Sequence, residues 1–308
     1  MNGFQKYLVG VQYIGTRFSG WPPMSKPMRT GSESKSIYYV LKDAIDSFIG
    51  KGNHYDLTAS SRTDKGVHAF RNVFSVDLSR RHRQVGEAMS AHAPRDVIRG
   101  LNFYIGDTCP ELRVVSATAV SDDFHARVDA MSRTYEYYII SRGSPDCSDS
   151  LLSPSSASMF HRDRAWVVDS YLDVDAMNTA AALLRGKHDF SSFRNSGCQS
   201  VSPIRYMFCV NCTVYPLTLA PGLTNPNQDA GADGAPPRVV KISLQANAFV
   251  YRMCRNIVSA LLWVGQGEMK VGDFAEILDA RDRRIAPPTA PAHGLFLKDV
   301  HYADNIKW

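Results

Sequence analysis

A polar loop between two strand-like segments is the feature of this sequence that most restricts how it can fold. Residues 55–59 and 73–78 have the pattern of short strands, and residues 60–69 read S-S-R-T-D-K-G-V-H-A. Polar residues with one glycine between two such segments indicate a turn, so the two segments should be neighbours in a β-sheet. Functional groups concentrate on loops that a rigid sheet positions. This loop is therefore the first candidate for a functional site.

Asp64 is the candidate reactive group of this loop, and two cationic residues, Arg62 and Lys65, lie close to it in sequence. A polar hairpin loop without any chemistry is the simpler interpretation, and the local pattern taken alone favours it. The choice between the two interpretations depends on the rest of the chain.

Composition and charge restrict the class of protein. Hydrophobic residues make up 44% and charged residues 21% of the 308 residues, as in ordinary soluble globular proteins, and this length predicts two domains or one large one. The net charge of +5 permits an anionic partner such as nucleic acid without establishing one. Six cysteines are too few for a disulfide scaffold, and neither a signal peptide nor a membrane-spanning stretch is evident. We expect an intracellular protein, from the cytoplasm or the mitochondrion.

Strand-like and helix-like segments interleave along the chain, which predicts an α+β fold. Apolar residues recur with helical spacing in residues 36–48 and 249–265, and Pro94 suits the first turn of a helix that continues to residue 104. Residues 133–140 alternate as an interior strand does. The tight βαβ regularity of a doubly wound fold is missing. We therefore expect antiparallel sheet with helices packed on one face.

No sequence motif predicts a bound metal or cofactor. The single C-x-x-C, Cys209 and Cys212, lacks the second pair of ligands that a structural zinc site needs. Residues three apart on a strand point to opposite faces, so we expect these cysteines to pack as small apolar residues. The histidines His68, His125 and His188 are scattered, and phosphate-loop, dinucleotide-binding and zinc-protease motifs are missing. We expect neither a metal nor a cofactor.

Five motifs follow one another over most of the chain. They are S-R-T-D-K-G-V-H-A (61–69), D-F-H-A-R with R-T-Y-E-Y (123–127 and 133–137), G-K-H-D-F-S-S-F (186–193), F-V-Y-R-M-C-R-N-I-V (249–258) and A-P-A-H-G-L (290–295). In this order they resemble the motifs of the TruA family of tRNA pseudouridine synthases. Five ordered motifs form a far more specific resemblance than any one of them.

The resemblance implies an isomerase that converts uridine to pseudouridine in RNA, most often tRNA, without a cofactor. It implies that Asp64 is the essential catalytic residue, that Arg255 is its ion-pair partner, and that Tyr135 stacks on the flipped uracil and assists removal of the C5 proton. Whether Asp64 attacks as a nucleophile or removes a ribose proton is left open. The expected substrate contacts are at Arg62, Thr63, Gly66, His68, Phe124 and Arg127.

The resemblance also implies an architecture and partners. The pseudouridine synthase fold has two ferredoxin-like α/β halves with antiparallel or mixed sheets and a central RNA-binding cleft. Here residues 1–110 would carry the Asp64 loop and residues 111–308 would complete the active-site cleft. The implied partners are tRNA and a second copy of the chain in a homodimer, with no membrane. The alternative is a non-catalytic RNA-binding or tRNA-folding protein on the same scaffold, while a hydrolase would want a second catalytic carboxylate.

Some segments depart from the family pattern. Trp21 is followed by two prolines where family members commonly carry glutamine, and residues 141–158 and 216–237 look like additions. The pattern is similar to that of a divergent branch, eukaryotic or organellar. Phe18 and Trp21 either stack on RNA bases or plug the end of the sheet, and we favour the second interpretation.

Overall fold

The computed structural model describes residues 4–21, 36–80, 89–145, 161–217, 235–303 and 306. In chain order its elements are β1 (Phe4–Tyr13), α1 (Ile37–Ile49), β2 (His54–Ala59), β3 (His68–Ser79), α2 (Pro94–Ile105), β4 (Leu112–Ala119), β5 (Ser132–Ser141), β6 (Trp166–Val167), α3 (Val174–Ala182), β7 (Gly186–Asp189), β8 (Ile204–Pro216), β9 (Arg238–Ala246), α4 (Met253–Gly265), α5 (Val271–Ala280) and β10 (Leu295–His301). Strands and helices interleave and the strands pair in both directions. The predicted α+β class is confirmed.

The chain divides into two compact units. The first is Met1–Arg133 with Phe296–Trp308, and the second is Thr134–Leu295. The predicted domain boundary at residues 110 and 111 therefore falls inside the first unit. The reason is that β4 pairs antiparallel with β1 and so keeps the residues after 110 with the N-terminal strands.

The first unit has the ferredoxin-like order β-α-β-β-α-β from β1 to β4. Its antiparallel strands are arranged β4-β1-β3-β2, and β10 pairs in parallel with the start of β3. Helix α1 ends at Gly50, whose φ of +88° suits glycine, and α2 begins with Pro94 at its first position. Helices α1 and α2 bury apolar residues, among them Leu41, Ile45, Val97 and Leu101.

The second unit repeats part of this plan. Its strands are arranged β5-β9-β8-β7, with β6 parallel to β5, and α3 lies in the chain between β5 and β8. Strand β5 is buried along most of its length, as predicted for an interior strand. Cys212 on β8 is buried, which raises the pKa of its thiol to about 12, and Cys209 is half-buried.

Helix α4 differs from its prediction at the N-terminal end. The periodic apolar residues predict a helix from residue 249, but α4 begins at Met253. Arg252 has a left-handed backbone with φ of +61°, which no α-helix contains, so residues 249–252 form a turn instead. Within the described part of the chain, no helix is long and apolar enough to cross a membrane.

Some sequence predictions fall outside the described residues. These are most of the two segments that look like additions, at residues 146–158 and 218–234, and the residues that follow Trp21. Phe18 and Trp21 themselves are buried, with Phe18 beside Tyr13 and Trp21 beside Phe74. Both aromatic residues therefore belong to the core, as we favoured.

Candidate active site

The Asp64 loop joins two paired strands, as predicted. Strand β2 ends at Ala59, which lies opposite Phe74 of β3 in an antiparallel ladder. Asp64 is half-buried, and its carbonyl accepts a hydrogen bond of 3.2 Å from the amide of Val67. Gly66 lies inside this turn with φ of +81°, where a side chain would be strained. The backbone at Asp64 is thus part of a tight turn that needs glycine.

Buried polar side chains on β1 and β3 form hydrogen bonds with the loop. Asn72 on β3 is fully buried, and its amide donates to the carbonyl of Ser61 at 3.0 Å and to the hydroxyl of Tyr13 at 3.2 Å. Tyr13 in turn shares a hydrogen bond of 2.9 Å with the hydroxyl of Thr63. Burial raises the pKa of Tyr13 to about 12, against smaller lowering effects of Thr63 and Asn72. Tyr13 therefore stays protonated, and Thr63 is fixed next to Asp64.

The segment after β1 packs directly on the same loop. The amide of Trp21 donates to the carbonyl of Thr63 at 3.1 Å. Gly20 has φ of +91°, and a Cβ there would lie 2.5 Å from the carbonyl oxygen of Thr63 and 2.8 Å from the carbonyl carbon of Asp64. Only glycine lets the two backbones approach this closely. The glycine of the F-x-G-W segment is therefore a support for Asp64.

His68 lies at the start of β3, beneath the loop. It is 1% exposed, and its Nδ1 accepts a hydrogen bond of 3.0 Å from the amide of Gly15. Its ring stacks on Phe296 of β10, with the ring centres 4.5 Å apart. His68 was predicted to contact the substrate, and its contacts inside the protein give it a part in holding the loop.

Arg133 ties the loop to the D-F-H-A-R segment. This arginine is 7% exposed and donates to the carbonyls of Ser60 at 3.3 Å, Arg127 at 2.7 Å and Ala130 at 3.0 Å. A guanidinium with five donors can satisfy several carbonyls at once. Side chains of this segment diverge: Arg127 is exposed, whereas Phe124 is buried against Tyr302, with ring centres 5.4 Å apart.

Tyr135 belongs to the second unit, on β5. It is 8% exposed and meets the ring of Phe249 edge-on, with ring centres 5.1 Å apart. Tyr137, two residues along the strand, donates to the carbonyl of Pro291 at 2.8 Å, and a Cβ at Gly294 would lie 2.6 Å from its ring. Burial raises the pKa of Tyr137, so it remains a donor. The A-P-A-H-G-L segment is therefore shaped around Tyr137.

Arg255 lies in the first turn of α4, where two hydrogen bonds fix it. Its Nε donates to the carbonyl of Ala290 at 2.7 Å, and its own carbonyl accepts from the amide of Ala290 at 3.4 Å. The side chain is half-buried. The arginine thus lies at a helix start that is hydrogen-bonded to the A-P-A-H-G-L segment.

Asn256, the next residue, organises a buried network. Its amide donates to the carbonyl of Phe193 and to Asn195, both at 2.7 Å, and its Oδ1 accepts from Thr289 at 2.7 Å and Arg283 at 3.1 Å. Phe193 closes the G-K-H-D-F-S-S-F motif and packs against Phe274. Asn256 thereby joins this motif to the R-N pair of α4.

Several residues that form hydrogen bonds around the site were not predicted from the sequence. Arg133 and Asn256 lie inside two of the motifs. A charged or amide residue at a motif position that should be buried is a signal that could have identified them. Tyr13, Asn72 and Arg283 carried no such signal. Among the described residues, no group of three or more histidine, cysteine or acidic side chains is placed to hold a metal ion.

Comparisons with known proteins identify the family of this chain. A model of the family described as tRNA pseudouridine synthase matches residues 180–303. The chain is 35% identical to tRNA pseudouridine synthase A of Chromobacterium violaceum, covering 97% of this chain and 93% of that protein. It is 33% identical to the protein of the same name from Paramagnetospirillum magneticum (97% and 95% covered) and 34% identical to that of Azorhizobium caulinodans (98% and 96% covered). The chain therefore belongs to the tRNA pseudouridine synthase A (TruA) family.

Proposed function

We propose that the chain isomerises uridine to pseudouridine in tRNA and that Asp64 is its catalytic residue. Membership of the family makes it an isomerase of tRNA uridine. The observation that carries the assignment of Asp64 is the set of buried groups that hold the loop on both sides of it. Asn72 holds Ser61 and Tyr13 holds Thr63, while Gly20 packs against the backbone of Thr63 and Asp64. At the end of the loop, His68 accepts a hydrogen bond from Gly15. A loop held so closely positions a side chain for chemistry.

The reaction makes three demands on the site. The target base must leave its stack, which costs roughly a few kcal/mol in a paired stem. A carboxylate must then attack as a nucleophile or remove a ribose proton, and it must stay charged in a partly dry environment, where burial favours the neutral form. We propose that Arg255 supplies the compensating charge, because an arginine can hold a carboxylate in bidentate geometry. The fixed helix start that carries Arg255 supports this assignment.

We propose that Tyr135 stacks on the flipped uracil and assists loss of the C5 proton. Replacing Tyr135 with phenylalanine keeps the ring and removes the hydroxyl. Release of tritium from a tRNA transcript labelled at uracil C5 should then fall about 10²–10⁴-fold, the usual range for a lost acid or base. The wild-type protein should release tritium without free uracil. A wild type that releases none would favour the non-catalytic RNA-binding alternative, and free uracil would indicate a hydrolase.

The remaining predicted contacts separate into two roles. We propose that Arg62 and Arg127 contact the RNA, since both are cations at the surface or near it and phosphate contacts supply much of the affinity. Thr63, Gly66, His68 and Phe124 are instead proposed to shape the site, because their contacts with the protein support positioning.

We propose that the protein works as a homodimer. Ile204, Tyr206 and Phe208 on one face of β8 are 45%, 47% and 48% exposed, and the two rings lie 5.0 Å apart. Contiguous exposed apolar residues often mark an interface, and a twofold dimer can pair one patch with itself. An enzyme of tRNA works where tRNA is found, so we also propose an intracellular location. The named relatives are bacterial and give no support to a mitochondrial one.

Light scattering tests the dimer. The wild type should have twice the mass of the chain, and a variant with Tyr206→Asp and Phe208→Asp should have the mass of one chain, because two buried unpaired charges would destabilise the interface. Phe103→Asp, at an exposed aromatic residue of α2, should leave the mass unchanged. A monomeric wild type would exclude the dimer, and a doubly charged variant that still dimerises would place the interface elsewhere.

A further inference from the structure

Positive charge collects at the N-terminal end of α4, where helix electrostatics disfavour it. Arg252 is the last residue before the helix, and Arg255 lies in its first turn, which contains no acidic residue. The amide of Asn256 donates to the carbonyl of Arg252 at 3.0 Å, so both arginines fall within one helical turn. Like charges at this spacing repel each other, and the positive end of the helix dipole repels both. Charges placed against these rules indicate anionic partners at this helix end.

A third arginine adds to the positive charge at the same place. Arg283 donates to the Oδ1 of Asn256 at 3.1 Å, to the hydroxyl of Thr289 at 3.2 Å and to the carbonyl of Ala286 at 2.8 Å. These acceptors are neutral, and burial lowers the pKa of the Arg283 guanidinium. The group stays charged all the same, because arginine is not deprotonated in proteins.

The carboxylates of the neighbouring segments are paired with other arginines. Asp282 forms an ion pair with Arg284 at 2.5 Å, and Asp189 forms one with Arg281 at 3.9 Å. Among the residues that the structure describes, no carboxylate forms an ion pair with Arg252. The charge of Arg252 is therefore available for an anion from outside this part of the chain.

The Arg252 side chain keeps hydrogen-bond donors for such an anion. Its guanidinium lies 5.0 Å from the centre of the Tyr251 ring, and the side chain is half-buried, so part of it faces solvent. Arginine donates in the plane of the guanidinium, so a ring against its face leaves the donors at its edge for another partner. Its buried Nε has no hydrogen-bond partner among the described residues. The left-handed backbone of Arg252, with φ of +61°, is unfavourable for arginine, and such residues cluster at functional sites.

We propose that Arg252 binds a backbone phosphate of the substrate tRNA. Arginine can hold a phosphate through two parallel hydrogen bonds, and phosphate contacts supply most sequence-independent affinity for nucleic acid. Because Arg255 is the proposed partner of Asp64, a phosphate bound within the same helical turn belongs to the target nucleotide or to a near neighbour. The proposal rests on the proposed function, since it takes the anion to be tRNA. Arg252 is then a substrate-binding residue that leaves the chemical step to Asp64 and Tyr135.

Binding of an unmodified tRNA transcript, followed by fluorescence anisotropy from about 0.05 to 0.3 M KCl, tests the contact independently of catalysis. Arg252→Gln removes the charge and keeps most of the length of the side chain. The slope of log affinity against log salt should become shallower by about 0.7–0.9, and affinity should fall about fivefold near 0.15 M salt, as for one lost phosphate contact. Arg252→Lys keeps the charge and should keep the slope. At saturating tRNA, the single-turnover rate of Arg252→Gln should stay within about twofold of wild type, because a contact made equally before and during the reaction changes binding alone.

Arg284→Gln is the matched control. Arg284 is an exposed arginine of the same unit that is paired with Asp282, so this variant has the net charge of Arg252→Gln without loss of the proposed RNA contact. Its salt slope should equal that of wild type. The melting temperature of Arg252→Gln should stay within about 2 °C of wild type, since relief of charge repulsion offsets the lost contact with the Tyr251 ring.

The outcomes separate the phosphate contact from other roles of Arg252. A salt slope of Arg252→Gln within about 0.3 of wild type overturns the contact. An equal change of slope in Arg284→Gln also overturns it, because that would be a general effect of net charge. An equal change in Arg252→Gln and Arg252→Lys overturns it too, since that would indicate a packing role. If the wild type makes no pseudouridine but Arg252→Gln still changes the slope selectively, the proposed function fails and the phosphate contact stands.

Discussion

Replacing Asp64 with asparagine should reduce pseudouridine formation by about 10⁴-fold or more, as loss of an essential catalytic side chain does in other enzymes. Asparagine has the same shape but can neither attack as a carboxylate nor accept the ribose proton. The melting temperature should stay within a few degrees of wild type, because Asp64 is half-buried and buried neighbours hold the loop. Affinity for tRNA should be unchanged or higher, since a negative charge is removed from an RNA site.

Single-turnover assays with excess enzyme measure this prediction, because they report the chemical step without product release. Asp43→Asn, the same change at an exposed position of α1, is the matched control and should keep full activity. If the Asp64 variant kept more than a tenth of the wild-type rate, Asp64 would be excluded as the catalytic group. If it lost tRNA binding in parallel with activity, the aspartate would have a role in RNA binding.

The elements were predictable wherever the pattern that defines them is local. An alternating pattern in residues 133–140 predicted an interior strand, and β5 spans Ser132–Ser141. Pro94 predicted the first residue of α2, which ends at Ile105, one residue beyond the prediction. Side-chain periodicity and proline both act over a few residues, so the sequence around each element carries the information.

The predictions were weakest where contacts between residues far apart in sequence determine the local structure. Helix α4 begins four residues late, because Arg252 takes a left-handed backbone that apolar spacing cannot reveal. The pairing of β10 with β3 joins residues over 200 positions apart in sequence. Neither strand has a sequence pattern that identifies the other as its neighbour.

The contacts that hold the Asp64 loop could not be predicted from sequence, for the same reason. The hydrogen bond between Tyr13 and Thr63 links residues 50 positions apart, and the bond between Asn72 and Tyr13 links residues 59 apart. Asp64 was singled out because the motif that contains it resembles a family motif. The same motif led us to expect substrate contacts at Thr63 and His68, and a motif does not say which way a side chain faces. In the structure these two side chains are 5% and 1% exposed and form hydrogen bonds inside the protein.

Replacing Gly20 with alanine should lower the rate of pseudouridine formation about 100-fold while tRNA binding changes little. The added methyl group would lie within 3 Å of the backbone of Thr63, Asp64 and Lys65, so the loop must move to admit it. A displacement of about 1 Å in a reacting group is enough for a loss of this size. The rate constant in single-turnover assays and the dissociation constant for a tRNA transcript separate the two effects.

Gly52→Ala is the matched control for this prediction. Gly52 also has a positive φ, +82° against +91° at Gly20, but no atom lies within 4 Å of the position where its Cβ would be. Both variants should lose about 1 kcal/mol of unfolding free energy from backbone strain, which lowers the melting temperature of Gly52→Ala by about 2–4 °C. Gly20→Ala should lose about 1–3 kcal/mol more, because its methyl group is overpacked against the loop backbone. Only Gly20→Ala should lose catalytic rate, because only its methyl group meets the Asp64 loop. Equal rates in the two variants would show that the backbone contact with Gly20 does not set the position of Asp64.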